Sequence, residues 1–132
     1  MPTAVEEAIY NRATTFAGIS ALIGTRAYPL QLPQQPTLPA LTYTRISNER
    51  VSAMGADATV ARARIQLSAW GATFTSAKTL AKQILSGFQR FKGTFAGIVI
   101  HDCFILNEID LYDSDALIYQ VITDIDVIYT EP

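Results

Sequence analysis

Between Val60 and Trp70 the chain alternates without interruption. Ala61, Ala63, Ile65, Leu67 and Ala69 form one row; Arg62, Arg64, Gln66, Ser68 and Trp70 form the other. Extended backbone points successive side chains to opposite faces, so this segment is a strand with one buried face. A helix would scatter both rows around its circumference. The rest of the chain must therefore supply neighbouring strands and a layer to cover the apolar row.

Neighbours are readable on both sides. Ala40 to Ser47, ALTYTRIS, is rich in β-branched and aromatic residues and reads as a strand. Gly97 to Asp110 reads as a third strand, whose mixed faces call for a bulge or for burial on both sides. Ala116 to Tyr129 is the fourth. Its core face is Tyr119, Val121, Thr123, Ile125, Val127 and Tyr129, and its other face holds Ile118, Gln120, Ile122, Asp124, Asp126 and Ile128. Tyr112 to Asp115 is the turn before it, since Asp and Ser side chains bond to local backbone.

The covering layer comes from two helices. Thr3 with Glu6 forms a capping box, and Val5, Ala8, Ile9, Ala13 and Phe16 follow helical spacing up to Gly18, which can end the helix. Ile19 to Ile23 is then a short apolar turn before Gly24. Thr75 or Ser76 caps the second helix, with Ala77, Leu80, Ala81, Ile84, Leu85 and Phe88 as its stripe and Phe91, Lys92 and Gly93 at its end. Helix, strand, strand, helix, strand, strand predicts an α+β fold in one domain, 1–132. It would be two-layered, with a four-stranded antiparallel sheet and both helices on one face. Asn48 to Thr59 lacks periodicity and is expected to be a long β-hairpin loop. Tyr28 to Pro39 holds four prolines in 12 residues, which forbids a helix or a central strand. It is an extended connector suited to lying across a neighbour, starting at Tyr28 and Pro29.

Totals narrow the function. Charged residues make up 17% of the chain, below the roughly 25% of an average soluble protein, which suits a subunit with extensive contacts. The single cysteine, Cys103, allows no intrachain disulfide. The start, MPTAVEEAIY, has no basic n-region, and no segment nears the roughly 18 apolar residues of a membrane span. A soluble protein made in a reducing compartment is expected, with no membrane partner. A pI near 5.2 argues against general nucleic-acid binding.

Catalytic chemistry has little to build on. His101 and Cys103 would share a face of a regular strand, but nothing nearby supplies a group to orient a base. Asp110, Asp113 and Asp115 lack the glycine and glutamate of an EF-hand loop. No phosphate-cradling glycine motif is present. No enzyme, cofactor or metal site is expected.

Charge is sorted along the chain. All ten basic residues lie between Arg12 and Lys92, and residues 1–92 hold four acids, for a sum of +6; residues 93–132 carry eight acids and no Lys or Arg. Such sorting suits a subunit that docks on copies of itself, or one that guides a charged polymer past one face. Arg62 and Arg64, with Arg45 on the preceding strand, read either as a solvated strand face or as a subunit contact. Asp124 and Asp126 lie on the face opposite the core and are candidates to line a lumen, where they would repel DNA phosphates.

The order of short patterns resembles the small tail completion, or tail terminator, proteins of long-tailed phages and prophages. The matching residues are Gly24, Arg26, Tyr28 and Pro29; Leu38 to Tyr43; Gln66, Leu67 and Trp70; and Ala77 and Leu80. Asn107, Asp110, Tyr112, Asp113, Tyr119, Asp124, Tyr129 and Glu131 follow. The resemblance implies a structural virion subunit, made in the host cytoplasm, with no catalytic residue. It implies a ring, usually sixfold, at the head-proximal end of the tail tube, ending tube growth and meeting the head connector while DNA passes through unbound. Arg45, Arg62, Arg64, Tyr28 and Pro29 are then the candidate subunit interface. The alternative is a small α+β ligand-binding or regulatory module, which would show a concave apolar pocket with convergent polar groups.

Overall fold

The computed structural model describes residues 5–53, 56–115 and 117–130. Three helices, α1 (Val5–Thr15), α2 (Ala17–Ile23) and α3 (Phe74–Phe88), accompany six strands. These are β1 (Ala27–Pro29), β2 (Ala40–Ala53), β3 (Ala56–Gly71), β4 (Gly93–Phe95), β5 (Ile98–Asp113) and β6 (Ile118–Thr130). They form one sheet in the order β1-β2-β3-β6-β5-β4. The α+β class holds, but the detail is corrected: six strands instead of four, three helices instead of two. The sheet curls into a half-barrel and is not a plain flat layer.

The two additional strands are three-residue edge pieces. β1 pairs parallel to Leu41–Tyr43 of β2, and β4 pairs antiparallel to Ile98–Ile100 of β5. Neither is long enough to show a period. Pro29 is tolerated because β1 is an edge. The rest of the proline connector makes no strand.

The expected long hairpin loop is also corrected. β2 and β3 continue as a ladder through Glu49↔Arg62, Ser52↔Asp57 and Ala53↔Ala56. Met54 and Gly55 lie outside the described residues, as does the capping box at Thr3. Among the described residues β6 last pairs at Val60↔Thr130, and β2 and β3 stay paired with each other beyond that rung. The apolar row of β3 starts at Ala61, within the part that β6 flanks, so the segment before it offers no alternation to read. β5 bulges between Ile100 and Asp102 and again between Ile105 and Asn107, the irregularity that its mixed faces predicted.

The core lies between the helices and the inward row of the sheet. Ala61, Ala63, Ile65, Leu67 and Ala69 of β3 and Val121, Ile125, Val127 and Tyr129 of β6 are buried, as read from their alternation. Val5, Ala8, Ile9 and Ala13 of α1 join them. The first helix does not end at Gly18. It breaks at Phe16, whose extended backbone (φ −70°, ψ 118°) starts α2, and Gly18 sits inside α2. There its missing side chain makes room for Gln83, whose Oε1 lies 2.0 Å from where a Cβ would stand. Helix α3 starts two residues earlier than expected, because Thr73 accepts the Ser76 N–H at 3.1 Å. Its buried stripe includes Gly87, while Leu85 is 42% exposed. No described helix is long and apolar enough to cross a membrane.

Candidate functional site

The sheet face turned away from the helices is built by the polar rows of four strands. Register places Ser47, Arg64, Asp126 and Phe104 side by side, followed on one side by Glu49, Arg62, Ile128 and Asp102. On the other side come Thr44, Gln66, Asp124 and Asn107. Charged groups therefore cluster toward one end of this face, and Trp70, Ile122, Ile109 and Leu111 occupy the other.

Arg62 and Arg64 reach diagonally across the β3–β6 ladder. Arg64 Nη2 lies 2.9 Å from Asp124 Oδ2, and Arg62 pairs with Asp126 through both Nε and Nη2. Asp126 is only 4% exposed, so its carboxylate needs this partner. The hydrogen bond and charge of Asp126 raise the Arg62 pKa from its ordinary value. Farther along, Trp70 Nε1 donates to Thr42 Oγ1 at 2.9 Å, and Gln120 Nε2 donates to Ser68 Oγ at 3.1 Å. These contacts satisfy the hydroxyls of Thr42 and Ser68, both nearly fully buried.

The ion pairs of Arg62, Arg64, Lys78 and Arg90 all join the basic part of the chain to the acidic part. Lys78 on α3 binds Glu108 at 3.3 Å and Asp110 at 2.8 Å on β5, and Arg90 binds Asp102 at 3.1 Å. Asp110 first, then Glu108, raises the Lys78 pKa through hydrogen bonding and charge. The sequence sorted these charges because the acidic strands come last; the fold returns them to the basic elements. What sequence reading missed was that Arg62 and Arg64 meet Asp124 and Asp126 within their own chain. The signal was present, in two alternating strands with charges two apart.

Among the described residues two hollows bear on the candidate site. One, of about 290 Å³, lies on the ion-paired face between Ser47, Glu49, Arg62, Arg64, Leu106 and Asp126. Strands β2 and β5 both line it although two others separate them, which fits the curl of the sheet. The other, of about 420 Å³, is bordered by Glu7, Tyr10, Asn11, Tyr43 and Ala96, with the Tyr10 and Tyr43 rings 6.5 Å apart. Burial and the charges of Tyr10, Glu6 and Glu7 raise the Tyr43 pKa.

His101 and Cys103 do not meet. The first β5 bulge breaks the alternation that would have put them on one face. The exposed His101 ring lies with Nε2 2.6 Å from Thr130 Oγ1, while Cys103 is fully buried and its thiol pKa is pushed far up by burial. Asp113 Oδ1 accepts the Asp115 N–H at 3.0 Å, as in the expected turn. Among the described residues no group of three His, Cys, Asp or Glu side chains is placed to hold a metal ion.

The remaining candidates lie at an edge. Tyr28 and Pro29 form β1 beside Thr42 and Tyr43. Arg45 is exposed on β2 just beyond the end of that short strand. Arg26, whose Nε donates to Pro39 O at 3.1 Å and whose Nη2 donates to Leu22 O at 2.9 Å, ties the connector back to α2.

The family model described as tail completion protein gp17 matches residues 7–130. A chain from a structure titled "Virion of native gene transfer agent (GTA) particle" superposes with a TM-score of 0.73 at 16% sequence identity, over 96% of this chain and 95% of that one. It shares the fold. No curated protein matches this sequence.

Proposed function

The chain belongs to the tail completion protein gp17 family of phage tail structural proteins, and from that premise we propose that it forms a closed ring at the head-proximal end of the tail tube. The ring ends tube growth and offers a surface to the head connector. The family match over nearly the whole chain carries this reading.

The ion-paired sheet face is the wall of the passage. Asp124 and Asp126 lie on it, as an acidic lining requires, but Arg62 and Arg64 neutralise them in place. Alternating fixed charges give DNA phosphates no continuous basic track and no counterion release to drive binding. DNA then slides past without being held. Tyr28, Pro29 and Arg45, at the sheet edge, belong to the contact between copies. A ring follows when two different surfaces of one subunit meet and the rotation closes.

The test is to remove the protein from particle production and image the products. Tails of uncontrolled length without heads are expected. Particles with heads and normal tails would overturn the reading.

A further inference from the structure

Both long edges of the half-barrel are open, but over different stretches. On β2, β1 covers only Leu41–Tyr43, and Leu30 N–H donates to Tyr43 O; among the described residues no strand pairs with the outer side of 44–50. On β5, β4 covers Ile98–Ile100, Arg90 N–H donates to Cys103 O, and Ile105 N–H donates to Gln89 Oε1. From 106 to 112 no strand among the described residues pairs with the outer side of β5. Unpaired strand edges are templates for another strand. This one also exposes Leu106, Ile109, Leu111 and Tyr112, each 45–49% accessible.

We propose that 44–50 of one copy pairs with 106–112 of the next, so that the subunit sheets join edge to edge around the ring. The inference rests on the ring reading above and names the contact that closes it.

Three independent features fit. The first is direction. Three antiparallel steps separate β2 from β5, so the two strands run opposite ways within a subunit. Rotation about a ring axis then brings β5 of one copy antiparallel to β2 of its neighbour.

The second is charge. Arg45 and Arg50 are level with the buried Ile65 and Ala61, hence on the helix side of β2. Glu108 and Asp110 are level with Thr123 and Val121, hence on the helix side of β5. Joined edges set the arginines along the carboxylates on one face. Lys78 offsets only part of that acidic charge.

The third is stagger. Register puts Ser47, the middle of one open stretch, level with Phe104; the middle of the other lies near Ile109. The offset is about five residues, roughly 16 Å, against about 19 Å for the width of four strands. Bringing the stretches together tilts the strands by about 40°, inside the roughly 35–45° of closed barrels. The stretches that β1 and β4 themselves cover, 41–43 of β2 and 98–100 of β5, then lie at or beyond the partner's strand end, so β1 and β4 do not obstruct the joint.

Ser47→Cys combined with Ile109→Cys tests the contact. Both positions are exposed and on the passage face, and within one subunit β3 and β6 hold them about 14 Å apart or more, too far for a disulfide. Assembled particles carrying the pair should yield covalent multimers on oxidation, and either single variant should yield none. Independently, amides in 44–50 and 106–112 should exchange at least about tenfold more slowly in particles than in the free subunit. Rings without cross-links from this pair or from Ser47→Cys with Leu111→Cys, and without slower exchange, would overturn the edge contact while leaving the ring. Particles with no ring of this protein would overturn both.

Discussion

Arg64 Nη2 and Asp124 Oδ2 lie 2.9 Å apart across the β3–β6 ladder, joining the basic first 92 residues to the acidic last 40. The charge split is thus a consequence of topology. Strand β6 comes last in the chain but inserts between β3 and β5 at the centre of the sheet. The charge sorting follows from which elements are made first, and the pairing across strands follows from where they end up.

Helix α3 should carry a measurable share of the stability. Leu80 and Ile84 are fully buried beneath it. Leu80→Ala or Ile84→Ala should cost about 2–5 kcal/mol, through lost transfer energy and the cavity left behind. Leu85→Ala, on the exposed side, should cost well under about 1.5 kcal/mol. Urea unfolding of the three variants checks the ranking; equal losses would place the helix face wrongly.

Gly71 should tolerate no side chain. A Cβ there would stand 2.6 Å from Ala77 N, where β3 turns into α3. Gly71→Ala should destabilise by about 1–3 kcal/mol, because backbone and not a flexible side chain must move. A thermal melt indistinguishable from the parent would contradict this close approach.

Much of this was legible in the sequence. The alternating rows of β3 and β6 and the stripe of α1 gave the core face directly, since burial imposes the period that sequence displays. Three things were hidden. β1 and β4 are too short to have a period. The break at Phe16 leaves no proline, and the nearby Gly18 serves packing against Gln83 and not termination. The end of the β2–β3 hairpin follows no apolar rhythm in sequence, although Ser52↔Asp57 and Ala53↔Ala56 still pair there. In sequence the candidate site shows as two separate charge groups, because strand pairing between residues about 60 apart is a tertiary fact. Charges two apart on each of two strands were the available clue.

Stability should decline on the alkaline side. Burial raises the pKa of Cys103 above its ordinary 9.0 and that of Tyr43 above 10.0, and ion pairing raises Lys78 above 10.5. In each case the folded value exceeds the unfolded one. The contribution is complete below the unfolded value and is lost as pH rises toward the folded value. The decline should begin near pH 9 with Cys103 and steepen beyond 10. Urea midpoints measured from pH 7 to 11 check it, and Cys103→Ala should flatten the first part of the curve. A midpoint constant to pH 11 would contradict the burial of these groups.

Sign changes on the ion-paired face distinguish its part in stability from its proposed part in DNA passage. Asp124→Lys with Asp126→Lys would set four cations within two adjacent strands. The nearly buried position of Asp126 would then hold a charge facing Arg62. Like charges in contact and a lost partner should lower the melting temperature of the isolated subunit. The change would also add basic groups to the proposed wall. Exchanging the signs separates these effects. Arg62→Asp and Arg64→Asp, combined with Asp124→Arg and Asp126→Arg, restore two diagonal pairs and leave the face neutral. The exchanged subunit should recover most of the lost stability, and its particles should eject DNA with the parent's salt dependence. The lysine variant, where it assembles, should eject more slowly at low salt and improve as salt rises, because phosphate contacts weaken with released counterions. Melting curves and ejection rates at several salt concentrations are the measurements. Impaired ejection in the exchanged particles would show that the wall requires a particular sign at each position. Salt-independent ejection in the lysine variant would mean that this face does not line the passage.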